Sequence, residues 1–199
     1  NLLNIQSHTS FSTQNYSSQK KDSTFNVPSI TLSNVMSLVP KIDELRVHMN
    51  QFSSDLVMIT ETWLRDSILD EVINIPGYCV IRKDRSKSIH GGVCIFVKDN
   101  IHFTVLDQFS DDDCEVLWLK IRPIRLPRGT SSIIVGTVYH PPSADNKLLL
   151  DHLNNVLTTV EALYPNCAFI VAGDFNQLPI DNLARQFRLK QLVKFPTRC

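Results

Sequence analysis

Apolar positions along this chain fall into short continuous runs and two long helical stripes, and their order predicts most of the architecture. Ser29-Ile30-Thr31-Leu32-Ser33 alternates polar and apolar like a half-buried strand and gives way to Asn34. From Pro40, a residue suited to a first helical turn, Ile42, Leu45, Met49 and Phe52 recur every three or four positions and predict an amphipathic helix. Leu56-Val57-Met58-Ile59 is a compact apolar run that ends at Thr60-Glu61. Cys79-Val80-Ile81 reads as a short strand, and Val93 to Val97 with Ile101 to Leu106 as a hairpin. Glu115 to Ile121 alternates, with Val116, Trp118 and Lys120 on one face and Leu117, Leu119 and Ile121 on the other. Ile133 to Tyr139 is a strand stopped by His140-Pro141-Pro142. A second helical stripe runs through Leu149, Leu153, Val156, Val160 and Leu163. Phe169-Ile170-Val171-Ala172 has no polar alternation, as expected of a strand covered on both faces, and it closes on Gly173-Asp174-Phe175-Asn176. Asp181 is placed to cap a short helix through Phe187. Each long helix lies between a strand and the next buried strand, an order that suits layered α/β packing.

Residues 1–28 change the picture at the N-terminus. Rich in Ser, Asn, Gln and Thr, they hold too few large apolar groups to offset the entropy of ordering, and a disordered polar tail followed by one domain over 29–199 is expected. The chain starts at Asn1 without a methionine and stops just after Phe195-Pro196-Thr197-Arg198, which reads as a fragment. Twenty basic and twenty acidic residues cancel, so a surface for a polyanion has to be local. The loops Arg82 to Lys87 and Arg122 to Arg128 are the local basic candidates, with solvated loops as the alternative reading. Five cysteines without a CxxC pair argue against a disulfide framework and for a reducing compartment, with Cys94 and Cys167 as small buried hydrophobes. No window has the length of a membrane span or the pattern of a secretion signal. A soluble intracellular protein, nuclear or cytoplasmic and not secreted, is therefore expected.

Candidate chemistry sits where strands end. Asn34, Glu61, Tyr139 and the pair Asp174 and Asn176 each follow a strand-like segment, and such ends can converge at one edge of a layered core. Taken singly, each reads equally well as a turn former, a solvated acid or a packing aromatic. Asp111-Asp112-Asp113 lacks the spacing of a calcium loop and reads as a solvated turn.

Taken together and in order, Asn34…Ser37-Leu38, Thr60-Glu61-Thr62-Trp63-Leu64, Gly91-Gly92-Val93, Tyr139-His140-Pro141-Pro142 and Gly173-Asp174-Phe175-Asn176 resemble the endonuclease/exonuclease/phosphatase superfamily. Ile59 to Leu64 and Phe195-Pro196-Thr197-Arg198 are most similar to endonuclease domains of non-LTR retrotransposons. The resemblance implies a deoxyribonuclease-like four-layer α/β-β/α sandwich, incomplete at its C-terminus. It also implies Mg²⁺-dependent hydrolysis of phosphodiester bonds in DNA, with Mn²⁺ as a substitute ion, no small-molecule cofactor and no membrane. Carried over by motif, Glu61 holds the metal with Asn34 beside it, Asp174 handles a proton, Asn176 orients the scissile phosphate or water, and the Tyr139 hydroxyl meets a phosphate oxygen. His140, Arg82 and Arg85 are the candidates for phosphate or DNA contact. Family members also use a C-terminal Asp and a Ser-Asp-His motif, for which this chain has no counterpart. The resemblance therefore implies a fragment that is inactive as it stands. A phosphomonoesterase of the same fold and a non-catalytic nucleic-acid-binding module are the alternative readings.

Overall fold

A computed structural model describes residues 27–86 and 88–193, so most of the expected tail and the Phe195 to Arg198 motif lie outside the described residues. Among the described residues, eight strands form two sheets. The first holds β1 (Ile30–Asn34), β2 (Leu56–Thr60), β3 (Tyr78–Lys83) and β4 (Val93–Lys98) in the order β1-β2-β4-β3. The second holds β5 (His102–Val105), β6 (Glu115–Arg122), β7 (Ser132–Tyr139) and β8 (Cys167–Asp174) in sequence order. The helices α1 (Ile42–Phe52) and α2 (Asn146–Leu163) fall where the periodicity predicts them, while α3 (Asp181–Gln186) starts at Asp181 with Ile180, not Asp181, in the cap position. β3 extends two residues past the apolar run because Arg82 and Lys83 pair with Cys94 and Val93.

Side-chain alternation sorts the strands into three apolar layers. Met58, Ile95, Leu119, Ile121 and Val135 meet between the sheets. Val57, Ile59 and Phe96, on the opposite face of the first sheet, pack under Leu45 and Met49 of α1. Val116, Trp118, Ile134 and Val171 pack under Leu153, Val156 and Val160 of α2. The result is helix, sheet, sheet, helix: the four-layer sandwich that the resemblance implies. Burying each such Leu, Ile or Val contributes about 1.5–3 kcal/mol, so the repeated alternation specifies strand register strongly. Asp145 caps α2 by accepting from Lys147 N at 2.8 Å.

Two connections determine where polar groups emerge. β1 runs parallel to β2, with α1 as the crossover, and β7 runs parallel to β8, with α2 as the crossover. Register pairs Asn34 with Thr60 and Tyr139 with Asp174, so each parallel pair ends in step. Both β1 and β8 lie at the margins of their sheets, and the ends of the two parallel pairs come together.

Candidate active site

At that meeting point Asn34 Nδ2 donates to Glu61 Oε1 at 2.7 Å and to Asp174 Oδ2 at 2.9 Å. One amide thus joins two carboxylates carried by different sheets, with Asn34 and Asp174 each about 5% exposed. Among the described residues neither carboxylate is ion-paired with Lys or Arg, so two adjacent negative charges are held together by a neutral donor. A set of oxygen donors with uncompensated charge fits a hard divalent cation. The backbone supports the arrangement at a cost: Glu61, Trp63 and Asn176 take φ of 54°, 52° and 46°, left-handed values that non-glycine residues adopt only when their surroundings enforce them. Ser37 N donates to Glu61 O and Leu38 N to Thr62 O, both at 2.9 Å, which pins the turn after β2.

The second strand pair completes the edge. Tyr139 is 7% exposed, and burial first, then the nearby negative Glu61, pushes its phenol well above the usual range. At neutral pH it is a donor. Asp174 Oδ1 accepts from Asn176 N at 3.1 Å, forming a local turn, while Asn176 Nδ2 donates to His140 O at 2.7 Å. His140 N in turn donates to Asp174 O at 2.8 Å. The His140 ring is buried, with Nε2 2.7 Å from Asn146 Oδ1. His140 therefore enters the cluster through its backbone, and its imidazole is turned to the start of α2 instead of outward to a phosphate.

A sequence model of the Endonuclease/Exonuclease/phosphatase family matches residues 23–196, which is most of the chain. The chain belongs to this family. Its members are nucleases and phosphatases, hydrolases of phosphate esters. In sequence the chain is 24% identical over 148 residues to the RNA-directed DNA polymerase from mobile element jockey of Drosophila melanogaster, a match covering 74% of this chain and 14% of that protein. In structure it is similar to the endonuclease domain of TRAS1, a telomere-specific non-LTR retrotransposon, with TM-score 0.53 and 14% identity over 73% of this chain and 57% of that one. It also resembles the AP endonuclease LMAP from Leishmania major, with TM-score 0.57 and 19% identity over 76% and 56% of the two chains. The chain thus spans little more than half of either structure, and at these identities the structural likeness establishes the fold.

Within this family fold, the basic residues picked from the sequence separate. Arg82 is committed within the protein: Nε donates to Asp84, Nη1 to Ile68 O and Asp70, and Nη2 to Arg65 O and Asp84. All five donors of its guanidinium are used in tying the loop after Glu61 to β3. Arg82→Ala is expected to lower stability by about 1–3 kcal/mol through the acceptors left unpaired, with no change in the salt dependence of any DNA binding. Chemical denaturation and a salt titration check the two halves. The Arg122 to Arg128 loop lies elsewhere: Glu115 pairs with Tyr139 and Arg122 pairs with His102 at the far end of β6, roughly 23 Å away along the strand. Arg85 does reach the rim of the site, where its Nε lies 3.2 Å from Glu115 Oε1.

Two features have no counterpart in the sequence reading. Glu115 reads in the sequence only as the first residue of a strand, whereas the β6–β7 hairpin register places it opposite Tyr139. Asp111, Cys114 and His152 form a second group of metal-ligand type, with one ligand atom from each within 4.8 Å of the others. Asp111 is otherwise the turn residue expected, accepting from Asp113 N at 2.9 Å and from Cys114 N. Trp118 Nε1 donates to His152 Nε2 at 3.3 Å, so a neutral imidazole carries its proton on Nδ1, 3.6 Å from Asp111 Oδ2. Lys83 Nζ donates to the carbonyls of Asp111 and Cys114, and burial raises the Cys114 thiol to about 11. Without a cation the thiol and one ring nitrogen keep their protons and the three groups form a packed polar network; a cation held here would have to displace the thiol proton. Burial likewise pushes the Cys94 thiol up, in keeping with a small hydrophobe, while Cys167 is only half-buried.

Proposed function

We propose that this chain hydrolyses phosphodiester bonds in DNA with a divalent cation, Mg²⁺ in the first place, as the endonuclease of a retrotransposon-like element. The observation that carries the reading is the Asn34 amide bridging Glu61 and Asp174 at 2.7 and 2.9 Å, at the joined ends of the two parallel strand pairs. Glu61, with Asn34 beside it, would hold the cation, which when bound offsets charge developing on the phosphate and acidifies a water. Asp174 takes or returns the proton at the attacking water or leaving oxygen, and Asn34 keeps its carboxylate in place. Tyr139, kept protonated, donates to a phosphate oxygen. Asn176, locked through His140 O, orients the phosphate from the Asp174 side. Arg85 is the rim residue suited to a flanking phosphate. The sequence likeness to the jockey polymerase supports DNA as substrate and a retroelement as source.

Supercoiled plasmid incubated with the protein and Mg²⁺ decides between this reading and the inactive fragment that the resemblance implies: the groups gathered at the site lead us to expect conversion to the nicked circle, stopped by a chelator, whereas no conversion would favour the inactive fragment. Hydrolysis of a phosphomonoester with no nicking would replace this reading by a phosphatase. Neither activity, together with duplex binding that weakens as salt rises, would make the chain a non-catalytic nucleic-acid-binding module.

A further inference from the structure

Glu115 stands at the start of β6 in the second sheet, with a side chain 11% exposed, and its carboxylate accepts from Gly92 N in the first sheet. The Gly91-Gly92 turn relays that contact. Gly92 O accepts from Thr62 N at 3.2 Å and Gly91 O from Trp63 N at 2.9 Å, so the two residues that follow Glu61 hang from this turn. Neither glycine has room for a side chain: a Cβ at Gly91 would meet Glu115 Oε2 at 2.5 Å and Arg85 Cδ at 2.9 Å, and one at Gly92 would meet Thr62 Oγ1 at 2.6 Å. Both take left-handed φ, 110° and 83°, which glycine adopts without strain. Glu61 itself does not have that freedom, and its φ of 54° has to be enforced from outside.

We propose that Glu115 is a positioning residue for Glu61, fixing the Gly91-Gly92 turn across the two sheets and through it the strained backbone that presents the Glu61 carboxylate. The inference rests on the reading of Glu61 as a cation-holding group. Glu115 touches neither Glu61 nor Asp174 in the contacts above; it acts through backbone hydrogen bonds, as the outer partners of metal ligands do. Arg85, at ion-pair distance from its second oxygen, offsets part of the burial, which still pushes the Glu115 carboxyl above its usual range.

Three substitutions test this. Glu115→Met keeps the volume and removes the acceptor, Glu115→Gln keeps an acceptor and removes the charge, and Glu115→Asp keeps the charge and draws the acceptor back by one methylene. The first readout is binding of Mn²⁺ alone, by calorimetry or by paramagnetic resonance. The second is the split between kcat and KM in plasmid nicking. Glu115→Met is expected to weaken Mn²⁺ binding by about tenfold and to lower kcat by roughly 10–100-fold, with KM for DNA within about twofold of wild type. Glu115→Gln is expected to stay within about threefold on both readouts, and Glu115→Asp to fall between the two. Wild-type Mn²⁺ affinity in Glu115→Met, or in Glu115→Asp where the Met variant fails to fold, overturns the proposal. Equal losses in Glu115→Gln and Glu115→Met also overturn it, because charge and not the hydrogen bond would then be acting. A wild-type protein that binds Mn²⁺ but nicks nothing would sink the nuclease reading and leave the comparison of affinities intact. A wild-type protein that binds no Mn²⁺ overturns the positioning role.

Discussion

Glu61→Gln is expected to lower Mg²⁺-supported nicking by about 100–1000-fold while the thermal midpoint stays within about 3 °C of wild type. The two halves follow from the hydrogen bonds. A glutamine carbonyl can accept from Asn34 Nδ2 as the carboxylate oxygen does. The geometry is kept and the charge is lost. Two adjacent carboxylates become one, and the offset of several kcal/mol that a held cation supplies to a phosphate in transit is withdrawn at about 1.4 kcal/mol per tenfold in rate. The strained φ of 54° at position 61 remains, so no relief of strain masks the effect. Initial rates of supercoil loss against Mg²⁺ concentration, beside a melting curve, make the measurement. An unchanged rate would remove Glu61 from the site. A spectroscopic titration of Tyr139 gives a second check: its phenol should move down when Glu61 is neutralised, yet stay above the usual range, because burial is the larger cause of its shift.

The parts of this site that were legible in the sequence are those specified by local pattern. An apolar run ending in a polar residue announces a strand end, and a helix between two such runs implies a parallel pair, which brings Asn34 beside Glu61 and Tyr139 beside Asp174. The two faces of β6 were readable for the same reason: Val116 and Trp118 pack toward α2, and Leu117, Leu119 and Ile121 pack between the sheets. The partners of charged side chains were not legible. Arg82 looks like any arginine in a basic loop until residues 65, 68, 70 and 84 close around it, and no periodicity encodes that convergence. The Arg122 to Arg128 loop is an intermediate case. Counting hairpins gives the direction of β6, and an antiparallel strand that starts at the site has to leave it. The same count would have placed Glu115 opposite Tyr139. The Tyr139-His140 pair in sequence does not say where each ring goes, because alternation along an extended backbone turns successive side chains to opposite sides.

Gly173→Ala is expected to be the most damaging single methyl group in the fold, costing about 3–5 kcal/mol. Gly173 lies in β8 with φ 154°, paired with Val138, and an added Cβ would sit 2.6 Å from Val138 C and 2.7 Å from its N, with the carbonyl oxygen closer still. These are main-chain atoms of β7, which is hydrogen-bonded on both sides and cannot rotate away. Gly136 provides the control within the same strand pair. A methyl there meets Trp118 ring atoms at 2.5–2.8 Å, and a ring can tilt where a peptide group cannot, so Gly136→Ala should cost about 1–3 kcal/mol. For a domain of this size the larger loss corresponds to a fall of roughly 6–20 °C in melting temperature, set against a total stability of about 5–15 kcal/mol. Activity should fall further than stability. Gly173 immediately precedes Asp174, and pushing β8 off β7 would pull the carboxylate away from Asn34 Nδ2, now 2.9 Å distant, and from its register with Tyr139. A displacement of about 1 Å at a reacting group can cost on the order of 100-fold in rate. Urea unfolding of both glycine variants, with nicking measured at a temperature where each remains folded, separates the two effects. A Gly173→Ala protein as stable as Gly136→Ala would mean that β8 can shift on β7 without strain, and the close approach at Val138 would then not be what holds Asp174 at the site.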